Sequence, residues 1–454
     1  MLKRLQFTNF KAWEKADLHC ARVTGLFGTN SSGKTSILQF LLMLKQTKEA
    51  TDRALSLELN GEYVQLGTFI DTIHRHDEKS VIAINVEFVR DNNLVLNDPA
   101  GGPKAVLVSA ESFTLEANVA SVKGAPRTKL LKYGIGDLKF SLQPQNGGDN
   151  QFELKLHETS PKSTFKFIRT QGRAWQLPGP VKIYAFPDQT RTYFQNAAFL
   201  SDLEAAFEQE MDHIFYLGPL REYPRRDYLW ARSRPSDVGQ RGEKVIDAIL
   251  AATEAKETRN LRPKSRHKPF QDMIAHWLRE MGLIHSFKVE EIAPGTNRWQ
   301  ARVQTKPDSV QVLLTDVGFG VSQVLPVITL LYYVPEGSTV ILEQPEIHLH
   351  PLAQAHLADL ILNVALHRKI QVILESHSEH LLLRLQRRIA EGTATPDDVK
   401  LYFCDAPRGK SNLVPLNLDM FGSIDNWPIN FMGDAFGETF AAEKARLERM
   451  QANR

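Results

Sequence analysis

The chain has 454 residues, 42% of them hydrophobic, enough for one large core or two to three domains, which excludes a peptide hormone or a disulfide-stapled miniprotein. Lys plus Arg number 55 and Asp plus Glu 53, a formal charge of +2, so attraction to nucleic acid has to come from local basic patches. Two cysteines, Cys20 and Cys404, argue against a disulfide framework and fit a reducing compartment. The longest apolar runs, such as 327–334, fall far below the ~18 residues of a membrane span. The opening Met1-Leu2-Lys3-Arg4-Leu5-Gln6-Phe7 alternates like a strand and lacks a signal-peptide block. A soluble cytoplasmic protein with no membrane contact is expected.

In chain order, Leu2, Leu5 and Phe7 begin a strand and 23–27 makes a short apolar one. Residues 28–33 form a polar Gly/Ser loop, and 36–45, apolar at Ile37, Leu38, Phe40, Leu41, Leu42 and Leu44, predicts a buried helix. Residues 81–89 alternate, and β-rich runs follow, including 112–120 and 152–156, separated by turn clusters at 99–103 and 146–150. This predicts a β-rich lobe inserted into a core domain, without the heptads of a coiled-coil arm. Ser201 with Glu204 has the spacing of a capping box. Positions 270, 273, 274, 277, 278 and 281 follow helical spacing. From 287 to 314 the pattern is β, with Val303, Val310, Val312 and Leu314 as core positions. Short apolar strands then alternate with helices (339–342, 351–367, 370–374, 378–390), which predicts a parallel sheet covered on both faces.

Gly28-Thr29-Asn30-Ser31-Ser32-Gly33-Lys34-Thr35 matches G-x-x-x-x-G-K-[ST] between a strand and a helix. The glycines let backbone amides wrap a phosphate, and the helix N-terminus adds partial positive charge. Lys34 is expected on the β and γ phosphates and the Thr35 hydroxyl on Mg²⁺. Thr339-Val340-Ile341-Leu342-Glu343-Gln344-Pro345-Glu346 is an apolar strand ending in an acid, as a phosphate loop's Mg²⁺ shell requires. Gly318-Phe319-Gly320-Val321-Ser322-Gln323 offers a second anion-binding helix start, and read alone is equally a plain turn before a helix. Ile373-Leu374-Glu375-Ser376-His377-Ser378 is a buried strand ending in a polar histidine, a pattern that on its own is also structural.

The order phosphate loop, Gly-Ser-Gln helix, acid-ended strand and strand-His resembles the ATP-binding cassette class, in the soluble branch of OLD, RecF and SMC-type ATPases. Asn9-Phe10-Lys11 resembles that branch's opening, and Gln65-Leu66-Gly67-Thr68-Phe69-Ile70-Asp71 and Glu346-Ile347-His348-Leu349-His350-Pro351 are similar to a bacterial AAA group found in phage-defence operons. Asp425-Asn426-Trp427-Pro428 and Phe431-Met432-Gly433-Asp434 resemble that group's small C-terminal domain of unknown function. The resemblance covers roughly 1–95 and 210–454. It implies an α/β P-loop NTPase of ABC-ATPase type with an inserted β-rich lobe and a small C-terminal domain. The divisions are an N-terminal core part at 1–95, the lobe at 96–200, a helical, basic lobe at 201–300, the C-terminal core part at 301–395 and the small domain at 396–454.

The resemblance also implies roles. Asn30, Ser31, Ser32, Gly33, Lys34, Thr35 and Ser36 would cradle phosphate, with Lys11 beside them. Thr35, Glu343 and Gln65 would form the Mg²⁺ shell. Gly320, Ser322 and Gln323 would contact the γ-phosphate held by a second copy, and His377 would be the switch histidine. Gln344 stands where most cassette ATPases carry the glutamate that polarises water. An amide orients water but accepts no proton, so slow hydrolysis, or use of Glu346 instead, is expected. The implied protein is a Mg²⁺-ATP-dependent dimer, open to larger rings, acting as sensor or scaffold of a phage-defence system beside a separate effector such as a nuclease or toxin.

Alternatives remain. Arg221, Arg225, Arg226, Arg232 and Arg234 interleave with Tyr223, Tyr228 and Trp230, and Lys256, Arg259, Arg262, Lys264, Arg266 and Lys268 follow. Such a 221–268 stretch can track a nucleic-acid backbone, as in a RecF-like DNA-repair ATPase; it also fits a solvated loop, and Arg221 could instead face nucleotide. A nucleotide-binding structural protein without turnover is the third reading, and a transporter motor is disfavoured. His74-Arg75-His76-Asp77 and His348-Leu349-His350 lack the spacing of a structural zinc site. The chain has no Asp-x-Asp pair, which argues against a fused two-metal nuclease.

Overall fold

The computed structural model describes residues 1–99, 105–145, 151–158, 165–172 and 176–428, with 441, 442, 444–446 and 449 beyond them. The turn clusters expected at 99–103 and 146–150 lie outside these residues except at Pro99, as does Phe431-Met432-Gly433-Asp434.

Two sheets share the work. The first is antiparallel and runs in the order Trp13–His19, Leu2–Phe10, Ile82–Asn97, Val106–Val122, Ala125–Ile135, Leu138–Pro144, Phe152–Glu158. Alternation drives it: Ile82, Ile84, Val86 and Phe88 are buried while the residues between them are half-buried. Its apolar face packs on the helix Lys34–Glu49, where Phe40 stacks on Phe7 at 4.2 Å and meets Phe10 edge-on at 4.9 Å. The helix Leu200–Asp212 packs there too, Phe207 lying 6.2 Å from Phe88. The β-rich stretch therefore prolongs the sheet begun by the first two strands, and the 95/96 division falls inside the strand Ile82–Asn97.

The second sheet runs Asn412–Leu416, Val399–Asp405, Val23–Gly28, Gln371–Glu375, Thr339–Glu343, Ile214–Leu217, all parallel except the first. Its central strands are buried throughout, as a sheet with two covered faces requires. Val340, Leu342, Val372 and Leu374 enter a core with the helices Phe319–Tyr333, Pro351–His367 and Glu379–Ala390. Their alternates Ile341 and Ile373 enter the other core, with Leu26, the helix Lys34–Glu49 and the antiparallel sheet. The carboxyl ends of three adjacent strands place Gly28, Glu375 and Glu343 along one rim, the crevice where open α/β sheets bind ligands.

Two local expectations fail. Ser201 lies inside its helix and donates to Ala198 O, while Glu204 accepts from Phe186 N and Arg191, so they form no capping box. The spacing instead works at Thr68, whose N–H and hydroxyl both reach Asp71. Val310 is 79% exposed, because only Val312–Leu313 pairs with the strand Arg298–Gln304.

Gly28 has φ +139°, and a Cβ there would lie 2.0 Å from Cys404 O on the adjacent strand. Gly28→Ala is expected to lower stability by about 3 kcal/mol, measured by denaturant melting; a loss under about 1 kcal/mol would show that the strand pair yields easily.

Candidate nucleotide site

The strand Val23–Gly28 hands the chain to a loop with Ser31 at φ 62° and Gly33 at φ 95°, and the helix Lys34–Glu49 starts there. Trp13 Nε1 donates to Gly33 O at 3.0 Å and pins the loop from the first hairpin. Lys34 is 3% exposed and folds back on its own loop, donating to Thr29 O at 2.7 Å and Gly28 O at 3.1 Å. Burial lowers its pKa. The Ser32 hydroxyl is fully buried without a partner, a polar atom that a bound phosphate would satisfy. Asn30 and Ser31 are exposed at the tip, and Thr35 and Ser36 are half-buried. Lys11 Nζ donates to Gln39 Oε1 at 2.7 Å, one helical turn beyond Thr35.

Opposite the loop stand two carboxylates. The parallel register pairs Glu343 with Glu375 at the ends of neighbouring strands. Thr35 donates its hydroxyl proton to Glu375 Oε2 at 2.8 Å, and Lys34 Nζ lies 3.9 Å from Glu375 Oε1. Tyr216 donates to Glu343 Oε1 at 3.0 Å. Burial pushes Glu343 up to about 7, helped by the charge on Glu375, and burial also raises Glu375. Thr35 and Glu343 offer oxygen donors that suit a hard divalent cation, with Glu375 behind them as the acceptor of the Thr35 hydroxyl proton. Among the described residues, no group of three or more His, Cys, Asp or Glu is placed to hold a metal ion. His74 Nδ1 is engaged by Lys11 O and His76 Nδ1 by Ile70 O.

The turn after Glu343 is held from below. Gln344 has φ 44° and donates its N–H to Glu375 O at 2.8 Å. Arg221, 5% exposed, donates to the carbonyls of Glu343 (3.2 Å) and Gln344 (3.3 Å), and burial lowers it to about 10. Glu346 Oε1 accepts the His377 N–H at 2.7 Å, while Oε2 is buried without a partner and burial raises the pKa. The exposed His377 ring is pushed down by partial desolvation and by Lys34.

Gly320, Ser322 and Gln323 sit in the first turns of the helix Phe319–Tyr333. A Cβ on Gly320 would lie 3.2 Å from His348 O, so this segment packs on the loop that follows Glu346. Phe319, 58% exposed, lies 5.8 Å from Tyr223 and 6.2 Å from His348. Gln65 is exposed and donates to Gly61 O; its neighbour Tyr63 lies 6.4 Å from Tyr216.

The AAA ATPase domain family model matches residues 1–210 and 236–382. The chain belongs to this family. A second model, Protein of unknown function (DUF3696), matches 395–441. No curated protein matches the chain. Similar solved structures include a SmcHead bound to the C-winged helix domain of ScpA (11% identity, 92% of this chain, 98% of that chain, TM-score 0.45). Two others are the SMC head domain from Thermotoga maritima (11%, 92%, 99%, 0.39) and the Smc head domain with an extended coiled coil bound to the C-terminal domain of ScpA derived from Pyrococcus furiosus (9%, 92%, 96%, 0.45).

For this AAA ATPase, an ATP-binding role follows from the family. The structure brings together Lys34, Thr35, Glu343, Gln344, Glu346 and His377 around one rim; Lys11 lies beside the loop helix. Sequence reading missed Glu375 and Tyr216 as members of the site. A signal for Glu375 existed: Val340-Ile341-Leu342-Glu343 recurs letter for letter as Val372-Ile373-Leu374-Glu375. The basic stretch divides into paired and unpaired parts. Arg221 is buried against carbonyls, and Arg225, Arg226, Arg232, Arg234 and Arg259 pair with Glu222, Asp316, Glu254, Glu257 and Glu257. Five of its arginines thus share four carboxylates, which lowers the free charge of this part of the stretch.

Proposed function

We propose that this ATPase is a slow nucleotide switch that binds Mg²⁺-ATP at the phosphate loop and, once loaded, pairs with a second copy. Each site would be completed by the other copy's Gly320, Ser322 and Gln323. The observation that carries this reading is the Thr35 hydroxyl of the phosphate loop bonded to Glu375, whose register partner is Glu343, beside a turn whose first residue is the neutral Gln344. Thr35 and Glu343 would hold Mg²⁺, with Gln65 a further candidate; the cation neutralises phosphate charge when bound. Lys34 exchanges two carbonyls for phosphate oxygens, and the loop amides and helix start take the rest. Gln344 orients water without taking its proton, and Glu346 is the nearby carboxylate we assign to that task.

In the same reading the chain is the cytoplasmic sensor or scaffold of a phage-defence system, and nucleotide selects the assembly that holds a separate effector. Exposed Tyr223 and Phe319, in contact beside Gly320, support a surface that works when covered. Light scattering tests the pairing: wild type doubles in mass with ATP, and Phe319→Glu, a change at an exposed position, prevents the doubling without lowering ATP affinity. A wild type that stays monomeric with saturating ATP removes the sandwich.

A second reading, a RecF-like DNA-binding ATPase, is favoured by one observation. Lys256, Arg262, Lys264 and Arg266 are exposed, and none of the described ion pairs uses them. Reversing these four charges should abolish salt-sensitive DNA binding if this reading holds; if it instead breaks a protein complex, the sensor reading gains.

A further inference from the structure

We propose that Glu375 is a positioning residue that sets the cation affinity of the site by fixing the direction of the Thr35 hydroxyl. The inference rests on the reading that the phosphate loop binds a metal–nucleotide complex.

A threonine hydroxyl has one proton and two lone pairs. In this structure the Thr35 proton goes to Glu375 Oε2 at 2.8 Å, which leaves the lone pairs for a cation. An ionised carboxylate accepts only, so the direction of this bond is set; a glutamine in its place could donate and reverse it. Outer partners of this kind change metal affinity by about 10–100-fold.

Packing alone does not account for a carboxylate here. Glu375 is 3% exposed at the end of a strand, directly after Val372-Ile373-Leu374, and its register partner is a second carboxylate. Its described partners are one hydroxyl and an ammonium at 3.9 Å. Two buried acids side by side are costly, and an apolar residue would serve stability better. A divalent cation between the strand ends and the loop removes that cost, and the same contact keeps Lys34 beside the loop while phosphate is absent. Glu375 thus links the residue expected on the metal to the residue expected on phosphate.

The test uses the full chain, Mn²⁺ as the metal probe by electron paramagnetic resonance, and a fluorescent mant-ATP in EDTA for metal-free binding. Glu375→Gln is expected to weaken Mn²⁺ about 10–100-fold in the presence of nucleotide, with metal-free mant-ATP binding not weakened, which also reports the fold. Thr35→Val should weaken Mn²⁺ similarly, and the double variant should be no more than about threefold worse than the weaker single, because both act through one bond. Should Glu375→Gln misfold, Glu375→Asp, a methylene short of Thr35, is expected to show the same metal loss. Wild-type Mn²⁺ affinity in the glutamine variant, or losses that multiply in the double variant, overturns the inference alone. A wild type that binds no mant-ATP overturns it together with the nucleotide reading.

Discussion

Lys34→Ala is expected to abolish turnover and to weaken ATP by at least about 100-fold, because a charge-assisted contact between a buried ammonium and phosphate is removed. The side chain is nearly inaccessible and is held by two loop carbonyls, so it is pre-positioned within reach of any phosphate seated on the loop amides. Calorimetry with ATP and magnesium measures the loss. No heat from the wild type, or undiminished affinity in the alanine variant, defeats the nucleotide reading.

The second large effect concerns Gln344. Its left-handed backbone is braced by Arg221 from one side and by Glu375 O from the other, so the position tolerates a same-shape change. Gln344→Glu supplies a base where an amide stood and is expected to raise kcat about 10–100-fold with little change in KM. Glu346→Ala should lower the wild-type kcat about 100-fold, since Glu346 keeps one carboxylate oxygen unpaired at the rim and burial raises its basicity. Steady-state turnover measures both. A rate that Gln344→Glu cannot raise, combined with a silent Glu346→Ala, removes the slow-switch account.

Legibility followed sequence distance. The phosphate loop reads directly because its glycines, lysine and threonine are contiguous and their geometry is local. The parallel sheet reads from short apolar strands set between helices, since burial on both faces leaves no alternation. Glu375 did not read, because its contact with Thr35 spans 340 positions and depends on which strand lies next to Val23–Gly28. Arg221 read either as part of a basic stretch or as a residue facing nucleotide, because composition cannot say that two backbone carbonyls will meet a guanidinium in the interior. Ser201 and Glu204 had the right spacing, but the helix already begins at Leu200, so their donors and acceptors went elsewhere.

The strand Val399–Asp405 belongs to the segment matched by the unknown-function model, yet it lies hydrogen-bonded along Val23–Gly28, the strand that carries the phosphate loop. That region is therefore a structural wall of the ATPase. A fragment cut at residue 395 would bare a flat apolar strand edge, and such edges recruit other chains. Proteolysis or truncation there would unpair the strand that carries the phosphate loop, so nucleotide binding is expected to depend on the C-terminal segment.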